Sequence, residues 1–457
     1  MNALHHQAKR YSLNMLEGSL LDKIVLFALP FAVSSILQQL FNAADLAVVG
    51  RFASSEAMAA VGSNSSVINL IISLFVGLSV GVNTVIAGQI GGGHKERINE
   101  TVHTVIAVAF LAGFALIFIG YAVSGPILKL MGAPENVMNL ATVYLRIYFL
   151  AMPAILVYNY GSAILRSKGD SRRPLYALTL SGIINVILNL IFVIVFKLHV
   201  IGVAAATVIS NMFGAGLILY YLMTEDDPFR LSFNKLCINR HFLRLMMQIG
   251  MPAGLQGMVF GLSNVVIQSS VNSFGANAIA GSTAAVNFDF LSYCVVNAFG
   301  QSAVTFMSQN YNAHKFDRCD KVALICMLSG AGTSAFVVFL LVTFRYSLIH
   351  IFTTDPQVIE YAMVRIMVSF SLHFLIASYE ISGGCLRGMG HSLLPAMIAI
   401  FGTCIFRLIY VFTYVSKVHT FEALFRVYPI SWVITGTLTL TAFFTMRKRL
   451  YKSAEQL

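Results

Sequence analysis

The sequence predicts an all-α integral membrane protein: twelve transmembrane helices in two six-helix lobes related by a parallel internal repeat. Three observations carry this expectation. Of 457 residues, 57% are hydrophobic and 11% charged, against roughly 45–50% apolar and about 25% charged in a soluble domain. That balance excludes a disordered chain and argues against a soluble globule. Twelve apolar stretches each reach the ~20 residues needed to cross a bilayer core. The two halves also resemble each other at a shift of about 220 residues.

Taken in order, the predicted spans are 24–49, 61–89, 102–124, 139–164, 174–197, 202–223, 243–270, 280–310, 321–344, 359–384, 394–416 and 427–446. The net charge of +11 is dispersed in short clusters between these runs, which excludes a nucleic-acid-binding patch or tail. The clusters follow topology instead. Lys9, Arg10 and Lys23 precede span one, and Lys95 and Arg97 follow span two. Arg166, Lys168, Arg172 and Arg173 follow span four, and Arg230, Lys235, Arg240 and Arg244 follow span six. Lys315, Arg318 and Lys321 come after span eight, Arg387 after span ten, and Arg447, Lys448, Arg449 and Lys452 form the tail cluster. With an even number of spans these loops share one side, so the positive-inside rule puts both termini in the cytoplasm. The segment from Met1 to about Asp22 is polar and lacks the order of a cleaved signal, so span one is expected to be retained. Cys237, Cys294, Cys319, Cys326, Cys385 and Cys404 form no CxxC pair and read as small core residues rather than a metal or disulfide framework.

The segment from Thr224-Glu225-Asp226-Asp227-Pro228 to Arg244 combines charge with a helix breaker near mid-chain. This divides the chain into a cytoplasmic segment 1–23, an N-lobe 24–223, a cytoplasmic linker 224–242, a C-lobe 243–446 and a cytoplasmic tail 447–457. Leu165-Arg166-Ser167-Lys168-Gly169-Asp170-Ser171-Arg172-Arg173-Pro174 aligns with Leu386-Arg387-Gly388-Met389-Gly390-His391-Ser392-Leu393-Leu394-Pro395. Gly93-His94-Lys95 falls opposite Ala313-His314-Lys315, and Leu29-Pro30 opposite Met251-Pro252. A parallel repeat of this kind commonly holds a transport site near mid-membrane.

An ionisable group within the bilayer costs about 2.5–3.5 kcal/mol on insertion scales, which makes it a functional candidate by default. Asp45, Asp289 and Glu380 lie well inside spans. On span one, Ser34, Gln38, Asn42 and Asp45 fall at helical spacing and form a polar stripe. Helix packing alone would explain such a stripe, but packing does not need a carboxylate. Span five carries Ser181, Asn185 and Asn189 on one face, where amides supply oxygens for Na⁺, hydrogen bonds to a carboxyl group, or interhelical contacts. Span seven repeats the pattern without an acid in Gln256, Asn264, Gln268 and Asn272, and span eight carries Asp289, Tyr293, Asn297 and Gln301. Glu380 lies close enough to the Leu386-Arg387 loop to pair with a basic group. Arg146 and Arg365 near span ends are expected to snorkel; Arg407, deeper in span eleven, suits either a buried ion pair or an anion contact. Pro30 and Pro252 occupy corresponding places and suit matched hinges or static kinks.

His350 and Asp355 show the HxxxxD spacing of membrane acyltransferases, as base and orienter, without a companion motif. The sequence has no Walker loop and no Cys/His metal set, so ATP-driven pumping and metal-dependent hydrolysis lack their residues. A non-enzyme is expected.

At Gln38-Gln39-Leu40-Phe41-Asn42-Ala43-Ala44-Asp45-Leu46-Ala47-Val48-Val49-Gly50-Arg51-Phe52, and again at Leu165 to Pro174, the chain resembles the multidrug and toxic compound extrusion family. The resemblance covers the whole chain. It implies an antiporter that exchanges cationic or amphipathic drugs for H⁺ or Na⁺ through an alternately opened, V-shaped cavity. It further implies that Asp45 is the family's acid on helix one, Pro30 its bending proline and Gln38 a cavity-lining glutamine. In one bacterial and archaeal branch this acid joins Asn, Asp and Thr on helices five and six. Asn185 and Thr207 match two of those positions, while Asn189 replaces the second aspartate and leaves a metal-ion site in doubt. Another branch has C-lobe acids on helices seven and ten; their approximate counterparts, Phe260 and Ile376, are not acids, although Glu380 is near.

The resulting expectation is a secondary active transporter in the plasma (inner) membrane. Asp45, Asn185, Asn189 and Thr207 form its ion-coupling set, Gln38, Asn42, Asp289 and Glu380 line its substrate cavity, and Pro30 and Pro252 are its hinges. No cofactor is expected beyond a coupling H⁺ or Na⁺, and no certain metal site. The expected partners are small organic cations or amphipathic drugs and membrane lipid, with no nucleic acid, and the protein is expected to be a monomer. A lipid-linked oligosaccharide flippase of the same broader superfamily is the alternative, weakened because only Arg407 supplies a clear mid-span cation for a pyrophosphate. The acyltransferase ranks third.

Overall fold

A computed structural model describes residues 12–52, 55–130 and 135–455; Lys9 and Arg10 lie outside them. The chain is all-helical among these residues. Its first helices are α1 (Leu21–Phe52), α2 (Ser55–Gly91), α3 (Lys95–Leu130), α4 (Glu135–Phe149) and α5 (Met152–Ser167). They are followed by α6 (Arg172–Leu190), which continues into a π-helical turn at Ile191–Val195, and α7 (His199–Met223). The second half contains α8 (Arg240–Asn272), α9 (Ala276–Asn312), α10 (Phe316–Thr343) and the short α11 (Arg345–Ile349). Then come α12 (Pro356–Val368), a 3-10 turn at Phe370–Leu375 and α13 (Ile376–Gly388). After these, α14 (Leu393–Ala399), α15 (Phe406–Tyr410) and α16 (Ser416–Val418) form one span interrupted by π turns at Ile400–Ile405 and Val411–Val415, and α17 (Phe421–Glu455) ends the fold.

Eleven of the described helices are long and apolar enough to cross a membrane, and α4 with α5 makes a twelfth span bent by 47°. The bend falls within the span predicted over 139–164. Pro153 at the start of α5 has no N–H to continue the ladder from α4, so the chain breaks there. Large apolar side chains point outward, among them Phe118 at 75%, Phe339 at 65% and Phe412 at 69% exposure, as suits surfaces facing lipid rather than water.

The chain divides into two compact units, Met1–Asn14 with Val33–Met247, and Met15–Ala32 with Gln248–Leu457. The division passes through α1 two residues beyond Pro30. In the first unit, Val49, Ala60, Leu145, Met152, Val193 and Val203 belong to a buried core cluster. In the second, Ala285, Phe288, Ile349, Ile366 and Phe370 form one cluster, and Ile267, Val271, Val411, Leu424 and Phe425 belong to another. Five cysteines are buried and unpaired, but Cys237 is exposed, because it falls in the polar segment before α8 rather than in a span.

The repeated motif has a physical cause. Gly169 and Gly390, which align in the repeat, both adopt positive φ, at 96° and 86°, a conformation that glycine accepts without penalty. At Gly169 an added Cβ would lie 2.6 Å from the Leu13 carbonyl oxygen. Asp170 Oδ1 then accepts the Arg172 and Arg173 backbone N–H groups at 3.0 and 3.1 Å, and its carboxylate pairs with the Arg173 side chain. Glu225, 3% exposed, completes the cluster through Arg173 and through Lys168 at 2.5 Å. The other turn pair needs a one-residue correction. Backbone N–H groups of His94 and Lys315 close the turns onto Gln89 and Asn310, and positive φ falls at Gly93 and His314. Turn geometry thus pairs Gly93 with His314, at the register of the Leu165 motif, because backbone conformation rather than the shared His-Lys dipeptide fixes the match.

Candidate functional site

The apolar run of span one gives an uninterrupted α1, with Pro30 inside it. Asp45 lies a little more than one helical turn after Phe41, and the Phe41 ring packs on α6 at Gly182, where even a Cβ would overlap it. This close approach brings α1 and α6 together and puts Asp45 opposite Asn189. Asn189 Nδ2 donates to Asp45 Oδ1 at 2.5 Å and to Asn185 Oδ1 at 3.3 Å. Asn185 Nδ2 donates in turn to Ser210 Oγ on α7 at 3.3 Å. Ser181 Oγ donates to the Ser210 carbonyl at 2.7 Å, and Ser210 Oγ to the Thr207 carbonyl at 3.0 Å. The four-residue spacing of Ser181, Asn185 and Asn189 thus becomes one polar seam between α6 and α7, with Asp45 at its end.

The seam is largely withdrawn from solvent. Asn189 is 0% and Asn185 6% exposed, and Asp45 is half-buried. Asn189 Oδ1 is buried without a partner among the described residues. An acceptor oxygen left open beside a carboxylate provides a place for a cation or a proton-bearing group, because a buried acceptor without a donor is costly. Thr207 joins only indirectly: its hydroxyl donates to the Val203 carbonyl at 2.9 Å. Gln38 and Asn42 are exposed on α1 and hydrogen-bond to no described residue. Among the described residues, no three His, Cys, Asp or Glu side chains cluster as metal ligands.

The other predicted acids lie in the second unit, each beside an arginine. Asp289 on α9 accepts from Arg365 Nη2 at 2.8 Å and Nε at 3.3 Å. Arg365 also donates to Ser282 Oγ at 2.6 Å and lies 4.8 Å over the Phe425 ring. At 6% exposure, Arg365 does not snorkel. Its position on α12 faces Asp289 and Ser282, and a buried charge is retained where it has a partner. Glu380 is 9% exposed, with Arg387 Nη1 at 3.8 Å, an ion pair without a hydrogen bond. Arg387 Nη2 donates instead to Gln256 Oε1 at 2.9 Å. Pro252, the counterpart of Pro30, lies inside α8.

His350 and Asp355 are occupied separately. Asp355 caps α12 by accepting the Gln357 backbone N–H at 2.9 Å, the usual role of an aspartate at that position. His350 Nδ1 lies 2.5 Å from the Tyr346 carbonyl. Sequence reasoning missed Ser210, the hub between Asn185, Ser181 and Thr207; a lone serine in an apolar span carries no pattern. It also missed Arg365 as the partner of Asp289, although the two could have been matched as opposite buried charges.

The MatE family model matches residues 30–191 and again 252–413. The chain is 30% identical to the "Probable multidrug resistance protein YoeA" of Bacillus subtilis, over 82% of this chain and 83% of that protein. It is 27% identical to the "FAD transporter" of Shewanella oneidensis, over 72% and 73%. A solved structure of MATE in the bent conformation superposes with a TM-score of 0.89 at 21% identity, covering 96% of this chain and 98% of that one. Two matches of one family model to the two halves of an all-helical, twelve-span chain place it in the MatE, or multidrug and toxic compound extrusion, family, whose members are membrane transporters and not enzymes.

Proposed function

We propose that this protein is a secondary active antiporter that exports cationic or amphipathic organic molecules in exchange for H⁺ or Na⁺, with Asp45 as the ion-coupling residue. The observation that carries the reading is the Asp45–Asn189–Asn185–Ser210 seam, a half-buried carboxylate whose amide partner leaves one acceptor oxygen open. Desolvation disfavours a carboxylate's charge, so binding a proton or a cation at such a site offsets a real cost. One carboxylate suffices for H⁺. Na⁺ requires further oxygens, and Asn189 Oδ1 is positioned to supply one. Neutralising Asp45 changes its hydrogen bonding to α6, and that differential interaction is what allows an ion to bias alternating access. Gln38, Asn42, Asp289 and Glu380 contribute to substrate binding in this reading, and Pro30 and Pro252 act as hinges. The protein works as a monomer in the plasma (inner) membrane with both termini cytoplasmic.

The drug-resistance name of the Bacillus relative supports a drug substrate. The name of the Shewanella relative favours a second reading, export of an anionic dinucleotide by the same coupling. Proteoliposomes loaded with ethidium or with FAD, each under an imposed pH gradient and then a Na⁺ gradient, separate these readings. Gradient-driven ethidium efflux that Asp45→Asn abolishes is the expected result. FAD efflux without ethidium efflux would replace the first reading by the second, and efflux undiminished in Asp45→Asn would remove Asp45 from the mechanism.

A further inference from the structure

Within the repeat, the residues of the polar seam at Asp45, Asn185 and Asn189 have counterparts in the second half that are apolar at two positions and a cation at the third. The two family-model matches begin at Pro30 and Pro252 and end at Ile191 and Thr413. In that register Asn185 corresponds to Arg407, Asp45 to Ile267, and Asn189 to Val411. The π turn at Ile400–Ile405 lies between the Pro174/Pro395 match and Arg407. A π turn adds one residue per turn, which accounts for the one-residue step between the two registers.

Side-chain contacts pair Asn185 with Arg407, and they pair Ser210 with Ser431 at a shift one residue shorter. Asn185 Nδ2 donates to Ser210 Oγ in the first half, and Arg407 Nε donates to Ser431 Oγ at 3.0 Å in the second. Ser210 Oγ donates to the carbonyl three residues before it, and Ser431 Oγ does the same to Tyr428. Ser181 packs at Gly214, while Thr403 hydrogen-bonds to Thr435 at 2.9 Å. The Asp45–Asn189 hydrogen bond is replaced by Ile267 and Val411, which share one buried apolar cluster.

Arg407 is 4% exposed. Among the described residues no carboxylate lies within 4.0 Å of it; its guanidinium is held by Ser431 and lies 4.3 Å over the Tyr428 ring. Neither terminal amino group donates a hydrogen bond to a described residue. Cation–π contact offsets part of the cost of burying a guanidinium, yet buried charges are ordinarily paired with an opposite charge. Arg365 and Arg387 in the same unit each have an acid.

We propose that Arg407 is an anion-binding residue, taking carboxylate or phosphate oxygens through its two terminal amino groups, the planar fork that suits such groups. This position is separate from the coupling ion and needs no gradient, so its test stands apart from the export assay.

Binding of carboxyfluorescein, and separately of fluorescently labelled phosphatidylglycerol, is measured on purified protein in phosphatidylcholine nanodiscs, comparing wild type with Arg407→Met. Methionine keeps an aliphatic stem against Tyr428. Losing a hydrogen bond to a charged group weakens binding by about 10-fold or more, and that loss is expected for at least one probe, with ethidium binding unchanged. Loss for carboxyfluorescein alone identifies a soluble anion, and loss for the lipid alone a headgroup. Equal affinity of both proteins for both probes, including no binding by either, would overturn the proposal. If Arg407→Met does not yield monodisperse protein, Arg407→Lys decides, since it keeps the charge and loses the fork. Several-fold weaker binding is then expected, and unchanged binding would overturn it.

Discussion

At the scale of single residues, the seam at Asp45 makes a specific demand on Asn189. Its amide donates to the carboxylate, so Asn189→Leu removes a hydrogen bond to a charged group, worth about 1.5–3 kcal/mol. Roughly 10-fold or greater weakening of ion dependence is expected, read as the H⁺ or Na⁺ concentration for half-maximal transport; an unchanged value would separate Asn189 from coupling. The Asp289–Arg365 pair calls for a different result. Removing one partner of a buried pair leaves an uncompensated charge and costs about 3–5 kcal/mol, whereas replacing both is often nearly neutral. Arg365→Met should therefore lower the melting temperature sharply, and Asp289→Asn combined with it should recover most of the loss. Equal melting of the single and double variants would show that the pair is uncoupled. Asp45, Asn185 and Asn189 were legible because polar side chains at helical spacing in an apolar run stand out. Arg365 was misread because distance from a span end says nothing of which side chain waits opposite. Ser210 was illegible, since its role depends on the register of α7 against α6.

At the scale of helices, spans were legible because the bilayer sets their length and composition, although the runs 139–164 and 359–384 each cross two helices. The bend between α4 and α5 was visible only as a proline, and proline position alone does not say whether a helix kinks or restarts. The π turns at Ile191–Val195, Ile400–Ile405 and Val411–Val415 left no sequence signal, although one of them immediately precedes the helix that carries Arg407. The α1–α6 approach rests on Gly182, where a methyl group would collide with the Phe41 ring. Gly182→Ala should cost about 1–3 kcal/mol by overpacking and push Asp45 away from Asn189, lowering both melting temperature and transport. Gly216, where an added Cβ meets nothing within 4 Å, serves as the control, and Gly216→Ala should leave both unchanged. Equal behaviour of the two variants would show that the close approach does not position the acid.

At the scale of the whole molecule, the internal repeat was the most legible feature, because the turn at Gly169 and Gly390 keeps its glycine and the chain keeps its prolines at 30/252 and 174/395. What the repeat could not announce is divergence: the same frame carries a carboxylate with amides in one half and a guanidinium in an apolar setting in the other. Topology is testable at this scale too. In a Cys237→Ser background, a cysteine at Lys448 in the basic tail should react with a membrane-impermeant maleimide only after the cells are opened; reaction in intact cells would reverse the orientation. The central claim is that Asp45 carries the ion exchanged for substrate. The most direct measurement is counter-movement itself: substrate is added to one side of ion-equilibrated proteoliposomes, and H⁺ and ²²Na⁺ flux is recorded for wild type and Asp45→Asn. The expected result is uphill flux of one ion driven by substrate in wild type and none in Asp45→Asn, while both proteins still bind substrate. Substrate-driven ion flux that persists in Asp45→Asn would contradict the account.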